Sequence, residues 1–193
     1  MPAVDAPAFW DAALCPYVVI LDAVSPGIPA TPRFDPACWP QPAHRYSGPE
    51  GTHLVLGGGA SFYRVWLRGA RRDGPLAAIV PFDAMTATRL AALSDFDRWR
   101  RGASAPAAVP RPTAYQAQRL DLLLSILDLR QAARATSHAI ASRLVYPRLA
   151  TGRGAVWKAS PERRRTQRLI REAEALAAGG YRALLSGRAV RQK

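Results

Sequence analysis

The sequence has few residues of the kinds that bind metals, form disulfides or cross membranes. Its 193 residues include two cysteines and three histidines, none of them at metal-ligand spacing, which excludes a zinc finger, an iron–sulfur site and a disulfide framework. Its apolar stretches, such as Val18 to Leu21, are far shorter than the roughly 20 residues of a membrane span, and no signal peptide is visible at the amino terminus. We therefore expect a cytoplasmic protein without a metal or other cofactor.

Recognisable catalytic arrangements are also missing. Ser137 and His138 are neighbours in the chain, so they cannot face each other along a helix as nucleophile and base. The glycine run at 57–59 lacks the Gly-Lys-Ser/Thr of a Walker loop, which favours a hairpin turn over a phosphate cradle. His44 and His53 have no paired carboxylates nearby. The sequence therefore predicts a protein that is not an enzyme.

Arginine is abundant and unevenly distributed. The formal net charge is +13, and Lys158 and Lys193 are the only lysines. A GC-rich genome supplies arginine throughout a chain, but here the excess lies in one part. From Arg111 to the end, 17 basic residues face five acidic ones, a net charge of +12, against +1 before Arg111. This asymmetry marks the C-terminal part as the candidate for binding a polyanion.

Composition predicts three segments, 1–48, 49–101 and 111–193, because residues 102–112 are rich in Ala, Pro and Gly, as linkers are. In the first segment we expect a short helix over Ala6 to Leu14. The prolines between Ser25 and Pro49 then exclude regular structure.

The second segment predicts a small antiparallel sheet with a covering helix. Two β-rich runs flank the glycines at 57–59 and indicate a hairpin, and a third strand is expected within Pro75 to Phe82. Asp83 is expected to N-cap a helix that ends near Arg100.

The second strand of this hairpin alternates between two kinds of residue. Tyr63, Val65 and Leu67 form one apolar face. The other face mixes aromatic and basic groups. The pattern favours a half-buried strand face, and the alternative is a partner surface or second nucleic-acid surface: Phe62, Arg64, Trp66 and Arg68.

The third segment predicts a bundle of about four helices. Thr113 and Gln116 form a capping box for a helix that runs to about Gln131, and Thr136 caps a second helix that ends near Tyr146. The apolar stripe of the first helix comprises Leu120, Leu123, Leu124 and Leu127, widened by Leu122, Ile126 and Leu129.

The third helix of this bundle carries the most informative pattern. Ser160 at the cap and Pro161 at the first position mark its start, Gly179-Gly180 marks its end, and residues 181–185 form a last short helix. Its apolar side comprises Thr166, Leu169, Ile170, Ala173, Leu176 and Ala177. Trp157, in the loop before it, is expected to fill the core, and His138 to lie at the surface.

The opposite side of the third helix is basic near its amino end. Arginine pairs bidentately with guanine and glutamine with adenine, so this face is typical of a major-groove recognition helix. A solvated surface helix is the alternative, but it would mix acids with bases along the face. The expected base contacts are Arg164, Gln167, Arg168 and Arg171. The expected phosphate contacts are Arg153, Lys158, Ser160, Arg163 and Arg165.

These residues also carry a family resemblance. The stretches are RLDLLLSILDLRQAARATSHAIASRLV and, after it, GAVWKASPERRRTQRLIREAEALAAGGYRALL. Together they resemble the proteobacterial family named domain of unknown function twenty-two eighty-five. HLVLGGGASFYRVWLRGARRDGPLAAIVPFDA and FWDAALCPY are similar to the upstream parts of its longer members. The resemblance implies a helix-turn-helix regulator of integrative and conjugative element transfer, either an activator or an antiactivator.

The combined prediction is an α+β protein that binds double-stranded DNA through a helix-turn-helix variant and regulates transcription. Residues 146–159 separate the two helices of the motif, whereas a simple helix-turn-helix has a turn of about three or four residues. We therefore expect either another short helical turn at Arg148 to Gly152 or an elaborated variant of the motif. The alternative function is an antiactivator or adaptor that binds RNA polymerase or another regulator and has little affinity for DNA. RNA binding is less favoured, because the basic part has few aromatic residues for stacking bases.

Overall fold

The computed structural model describes residues 10–25, 27–28, 39, 44–58, 61–69, 75–103, 112–148, 152 and 154–186. The chain divides into two compact units, Met1–Pro110 with Arg182–Ala189, and Arg111–Tyr181 with Val190–Lys193. The first unit is built on a sheet and the second on helices.

The described residues of the first unit form five strands and one long helix. The strands are β1 (Val18–Ala23), β2 (His44–Gly48), β3 (Gly51–Gly58), β4 (Ser61–Arg68) and β5 (Leu76–Ile79). They lie in the order β2-β3-β4-β1-β5, and β1 is parallel to β4 while the other neighbours are antiparallel. Helix α1 (Thr86–Arg100) follows β5. The predicted hairpin is therefore confirmed as β3–β4, and the third strand as β5.

The two faces of the sheet pack against different segments. On one face, the apolar positions of β4, Tyr63, Val65 and Leu67, form a core with Phe96 of α1. On the other face, Ala12 and Cys15 pack on strand β1, with Trp66 of β4 beside them. The alternation of β4 is therefore confirmed, and its mixed face is half covered by the segment before β1.

One strand contradicts the predictions for the N-terminal segment. Strand β2 lies inside the stretch in which prolines were expected to exclude regular structure, and this prediction is wrong because His44 to Gly48 contain no proline. A two-residue turn joins β2 to Gly51, whose φ is +128° and where a Cβ would lie 2.1 Å from the Leu67 carbonyl oxygen. A side chain at position 51 would clash with the backbone of β4, so only glycine fits there.

The expected N-terminal helix is not found in its described part. Asp11 closes a single turn, because its backbone oxygen accepts from the Leu14 and Cys15 amides at 3.0 and 2.9 Å. Pro16 then follows, and strand β1 begins at Val18.

The start of α1 also differs from the prediction. Met85 is its N-cap, while Asp83 accepts from the Met85 amide at 2.7 Å in the preceding turn.

The second unit is helical. Its elements are α2 (Ala114–Ala133), α3 (Ser137–Ile140) with the π-helical turn Ala141–Val145, α4 (Ala155–Ala159), α5 (Pro161–Ala175) with the π-helical turn Leu176–Gly180, and the start of α6 (Tyr181–Leu185). The capping box of Thr113 with Gln116 is confirmed, as is the Thr136 cap of α3. Gly179 ends the α5 segment with a φ of +134°, as its predicted stop role requires.

Helices α2, α3 and α5 share one apolar core. It contains Leu123 and Ile126 of α2, Ile140 of α3, and Leu169 and Ile170 of α5. The apolar stripe predicted for α2 is too wide, because the side chain of Leu124 is 59% exposed. Ala177, expected on the inner side of α5, is also exposed. The 3.6-residue period places neither residue correctly because neighbouring helices cover only part of each circumference.

The structure confirms the α+β fold class, with one parallel strand pair in an otherwise antiparallel sheet. No helix among the described residues combines the length and apolar composition needed to cross a membrane.

Candidate nucleic-acid interface

Helix α5 begins at a strong local signal. Ser160 has extended backbone angles, and its hydroxyl accepts from the Arg163 amide at 3.1 Å, while Pro161 occupies the first helical position. A capping hydroxyl satisfies an otherwise unpaired helix donor, and proline there loses no hydrogen bond. Ser160 is 8% exposed, so its hydroxyl belongs to the helix start.

The two sides of α5 differ as its sequence predicts. Thr166, Leu169, Ile170 and Ala173 are buried. On the opposite side, the exposed residues are Arg164, Arg165, Arg168 and Arg171. Gln167 is half-buried at the boundary between the two sides. The helix therefore offers a row of guanidinium groups to solvent while its apolar side holds it in the core.

Two of the three acidic residues of α5, Glu172 and Glu174, are held by another helix, and the third is Glu162 in its first turn. Arg119 of α2 donates to Glu172 through Nε and Nη2 at distances of 2.7 to 3.1 Å, and this hydrogen bonding raises the pKa of Arg119. Arg130 of α2 donates to Glu174 at 3.1 Å. Within the described residues, the exposed arginines of α5 form no ion pair, so their charge is available to an anionic partner.

The corner between α4 and α5 is packed and hydrogen-bonded. Trp157 of α4 is 6% exposed, which confirms its predicted core role. Its ring meets His138 edge-on at 5.0 Å between centroids, so His138 is half-buried rather than a surface residue. The Arg163 guanidinium donates to the Lys158 carbonyl at 3.0 Å. Lys158 is exposed, and Arg153 lies outside the described residues.

A shallow depression of about 500 Å³ lies beside α5. It is bounded by the end of α2, the start of α3 and the middle of α5, and its lining residues are Arg130, Ser137, Gln167, Ile170 and Arg171. The Arg171 Nε donates to the Gln167 backbone oxygen at 3.3 Å. Of the residues expected to contact bases, the structure thus places Gln167 and Arg171 at this edge and Arg164 and Arg168 on the open side.

Sequence reasoning missed the contributions of α2 and α3 to this surface. Arg130 was assigned no role from the sequence, and Ser137 was considered only as a nucleophile. Each is brought to α5 by contacts between elements far apart in sequence, and no local pattern could have identified them. Helix α4 lies after residues 148–152, where an additional helical turn was one of the two expectations, and within 148–152 the structure describes only Arg148 and Gly152.

The mixed face of β4 has a defined geometry of its own. The Trp66 ring stacks on His53 at 5.5 Å between centroids, its Nε1 donates to the Glu50 carbonyl at 3.2 Å, and Arg68 lies over it at 5.6 Å. Phe62 is 37% exposed. Arg64 is half-buried, and burial lowers the pKa of its guanidinium. This face is thus partly open and partly packed.

Comparison with known families identifies the helical part of the chain. Residues 79–186 match the family described as "T6SS, Transcription factor, DNA binding domain". The chain belongs to this family. The match covers more than half of the sequence and includes α1 to α6, and therefore the whole basic face of α5. Membership of this transcription-factor family confirms the coarser expectation, a DNA-binding regulator.

The remaining comparisons add less. Residues 17–78, which contain all of the sheet except its last residue, match a domain of unknown function (DUF7012). Neither matched description is that of the family twenty-two eighty-five. No curated protein and no solved structure matches the chain. Among the described residues, no cluster of three or more His, Cys, Asp or Glu side chains could hold a metal ion.

Proposed function

We propose that the protein is a transcriptional regulator that binds duplex DNA by placing the amino-terminal half of α5 in the major groove. The observation that carries this proposal is the row of exposed arginines on α5, of whose three acids Glu172 and Glu174 are engaged by α2. The proposal is supported by membership of a transcription-factor DNA-binding family. An α-helix fits the major groove, and arginine is the commonest reader of guanine there.

The exposed side chains divide into two roles. Arg164 and Arg168 occupy the open side of α5 and are proposed to contact base edges. Lys158 and Arg165 flank them and are proposed to contact phosphates, together with Arg153. Ser160 and Arg163 form the hydrogen bonds of the α4–α5 corner, so we assign them to positioning the helix.

The motif that presents α5 is proposed to be an elaborated helix-turn-helix. Helices α2, α3 and α5 share a core, as the three helices of such domains do. Between α3 and α5 the chain contains α4, and the buried Trp157 fixes it. An anchored insertion of this kind keeps the recognition helix rigid despite the long connection.

The target genes are proposed from the family description. It names the type VI secretion system, so genes of such a system are the first targets to examine. Genes for transfer of an integrative and conjugative element, which the sequence resemblance suggests, are the second. Chromatin immunoprecipitation of the full chain followed by sequencing distinguishes the two sets.

A second candidate function is suggested by the sheet. Trp66 is held by stacking and by its hydrogen bond, the exposed Arg68 lies over its ring, and Phe62 is exposed farther along the same strand. Ordered aromatic groups with arginine are typical of protein-binding hot spots. We propose that this face binds RNA polymerase or another regulator, as an antiactivator or adaptor does. Loss of that binding in Phe62→Ala, with DNA affinity unchanged, is the expected result.

Selection from a pool of random duplexes tests the principal proposal. The full chain should enrich a defined motif, whereas Arg164→Ala with Arg168→Ala should enrich none while retaining the wild-type circular dichroism spectrum. Arg101→Gln serves as a control, because Arg101 is an exposed residue after α1 whose charge lies outside the helical unit. Enrichment of the same motif by the double variant would contradict the proposal.

A further inference from the structure

The depression beside α5 has the chemistry of an anion site. Of the lining residues that the structure describes, two are arginines, two are neutral polar residues and one is Ile170, and none is a carboxylate. Glu174 contacts the lining, because its carboxylate accepts from Arg130 Nη2 at 3.1 Å. A guanidinium has five N–H donors, so this one bond leaves most of the donors of Arg130 for another acceptor.

The two guanidinium groups of the depression are each fixed by a neighbouring contact. Glu174 holds the Arg130 guanidinium, and the Gln167 backbone oxygen holds Arg171 through its Nε. Ser137 follows the Thr136 cap, whose hydroxyl accepts from the Ala139 amide at 3.2 Å. Because the cap residue is already Thr136, the Ser137 hydroxyl is not needed to start the helix. Groups held in this way lose little conformational entropy when a ligand binds.

We propose that this depression binds one phosphodiester group of the duplex DNA, with Arg130, Arg171 and Ser137 as its donors and Gln167 at its edge. The inference rests on the proposed function and extends the DNA contact from α5 to the end of α2 and the start of α3. It moves Gln167 and Arg171 from base reading to backbone binding. Phosphate contacts fix the register of a protein on the duplex, so a phosphate held by three helices would orient α5 in the groove.

Ser137→Glu provides the sharpest test, because it separates folding from binding. Ser137 is the first residue of α3, and an acidic residue at a helix start stabilises the helix. The variant should therefore unfold at the wild-type temperature or above it. Its affinity for the selected duplex should fall about tenfold or more, and its salt slope should become shallower by about 0.9, because one phosphate contact is lost. Gln118→Glu, at an exposed α2 position outside the depression, adds the same charge as a control.

Arg130→Gln gives an independent measurement. It should also reduce affinity about tenfold and the magnitude of the salt slope by about 0.9, whereas Arg101→Gln, which removes the same charge in the first unit, should leave both near wild type. Thermal unfolding reports whether loss of the Arg130–Glu174 pair has disturbed the fold, and the Ser137→Glu result stands regardless of that outcome.

The results distinguish failure of this inference from failure of the proposed function. If Ser137→Glu binds the duplex with wild-type affinity and salt slope while Arg168→Ala loses binding, the depression holds no phosphodiester and α5 still reads DNA. If the wild-type chain binds no duplex at any salt concentration, the proposed function itself fails. Inorganic phosphate is the remaining probe: an increase in unfolding temperature with millimolar phosphate, lost in Ser137→Glu without any loss of DNA affinity, assigns the site to free phosphate and overturns the inference.

Discussion

Single arginines on α5 are expected to contribute to binding without contributing to folding. Arg168 is exposed and forms no ion pair within the described residues, so Arg168→Ala should change the free energy of unfolding by less than about 0.5 kcal/mol. If it contacts a base, the same change should cost about 1–3 kcal/mol at a specific site and relax preference at one base pair. Binding to a panel of single-base variants of the selected site measures both effects.

Lys158 provides the matched comparison at the same scale. It is exposed at the end of α4, just before the Ser160 cap, and is assigned to phosphate binding. Lys158→Ala should therefore weaken all duplexes by a similar factor and leave the preferred sequence unchanged. If Lys158→Ala alters sequence preference and Arg168→Ala does not, the residues assigned to base contacts and to phosphate contacts are interchanged.

Asp83 and Arg89 connect a residue-scale contact to pH. Arg89 is 7% exposed, and its hydrogen bonds to the Asp83 carboxylate hold the pKa of that carboxyl below its ordinary value. Because the folded-state pKa is depressed, the stabilisation is complete above the unfolded value of about 3.9 and is lost as pH falls through the folded-state pKa. Asp83→Asn should therefore show a flatter loss of stability below about pH 4 than the wild type. Identical acid-unfolding profiles would contradict this account.

At the scale of elements, the cap of α5 is expected to determine how firmly the helix begins. Ser160→Ala removes the hydroxyl that accepts from the Arg163 amide and should cost about 1 kcal/mol of stability. Ser160→Asp keeps an acceptor at the same position and should retain most of the wild-type stability. Urea unfolding of the three proteins measures the difference, and equal midpoints for wild type and Ser160→Ala would show that the cap does not limit stability.

The elements that sequence predicted are those specified locally. The caps at Thr113, Thr136 and Ser160 depend on a side chain and an amide three residues away, so their patterns sufficed. Strand β2 depends on pairing with β3, and the conformation of the segment before β1 depends on packing against the sheet. Neither dependence is visible in a short window of sequence.

The candidate site shows the same division. The basic face of α5 follows from helical periodicity, and its exposure is observed. The depression requires Arg130, Ser137 and Gln167 to meet across three helices. Its residues were therefore assigned from sequence to separate roles or to none, because only tertiary packing brings them together.

At the scale of the whole molecule, the boundary between the two compact units differs from the start of the matched family. Contacts divide the chain between Pro110 and Arg111, whereas the matched transcription-factor family begins at residue 79 and so includes α1. The proposed domain 111–193 contains the shared core of α2, α3 and α5. We therefore predict that a fragment of residues 111–193 folds cooperatively and binds DNA, and that residues 1–101 contribute regulation.

Thermal unfolding and DNA affinity of this fragment, compared with the full chain, test the prediction. A second fragment, residues 79–193, follows the family boundary. An unfolded 111–193 fragment beside a folded 79–193 fragment would show that α1 belongs to the DNA-binding domain. A folded 111–193 fragment without DNA affinity would show that the first unit takes part in recognition.

The uneven charge of the chain makes salt dependence the most direct test of the central claim that its basic helical part binds duplex DNA. Residues from Arg111 onward carry a net charge of +12, and each neutralised phosphate contributes about −0.9 to the slope of log K against log salt. Fluorescence anisotropy of a labelled duplex with the full chain, across a salt series, measures that slope. With Lys158, Arg165 and the depression engaged, we predict a slope of about −3 or steeper. No binding at low salt, or a flat salt dependence, would contradict the account.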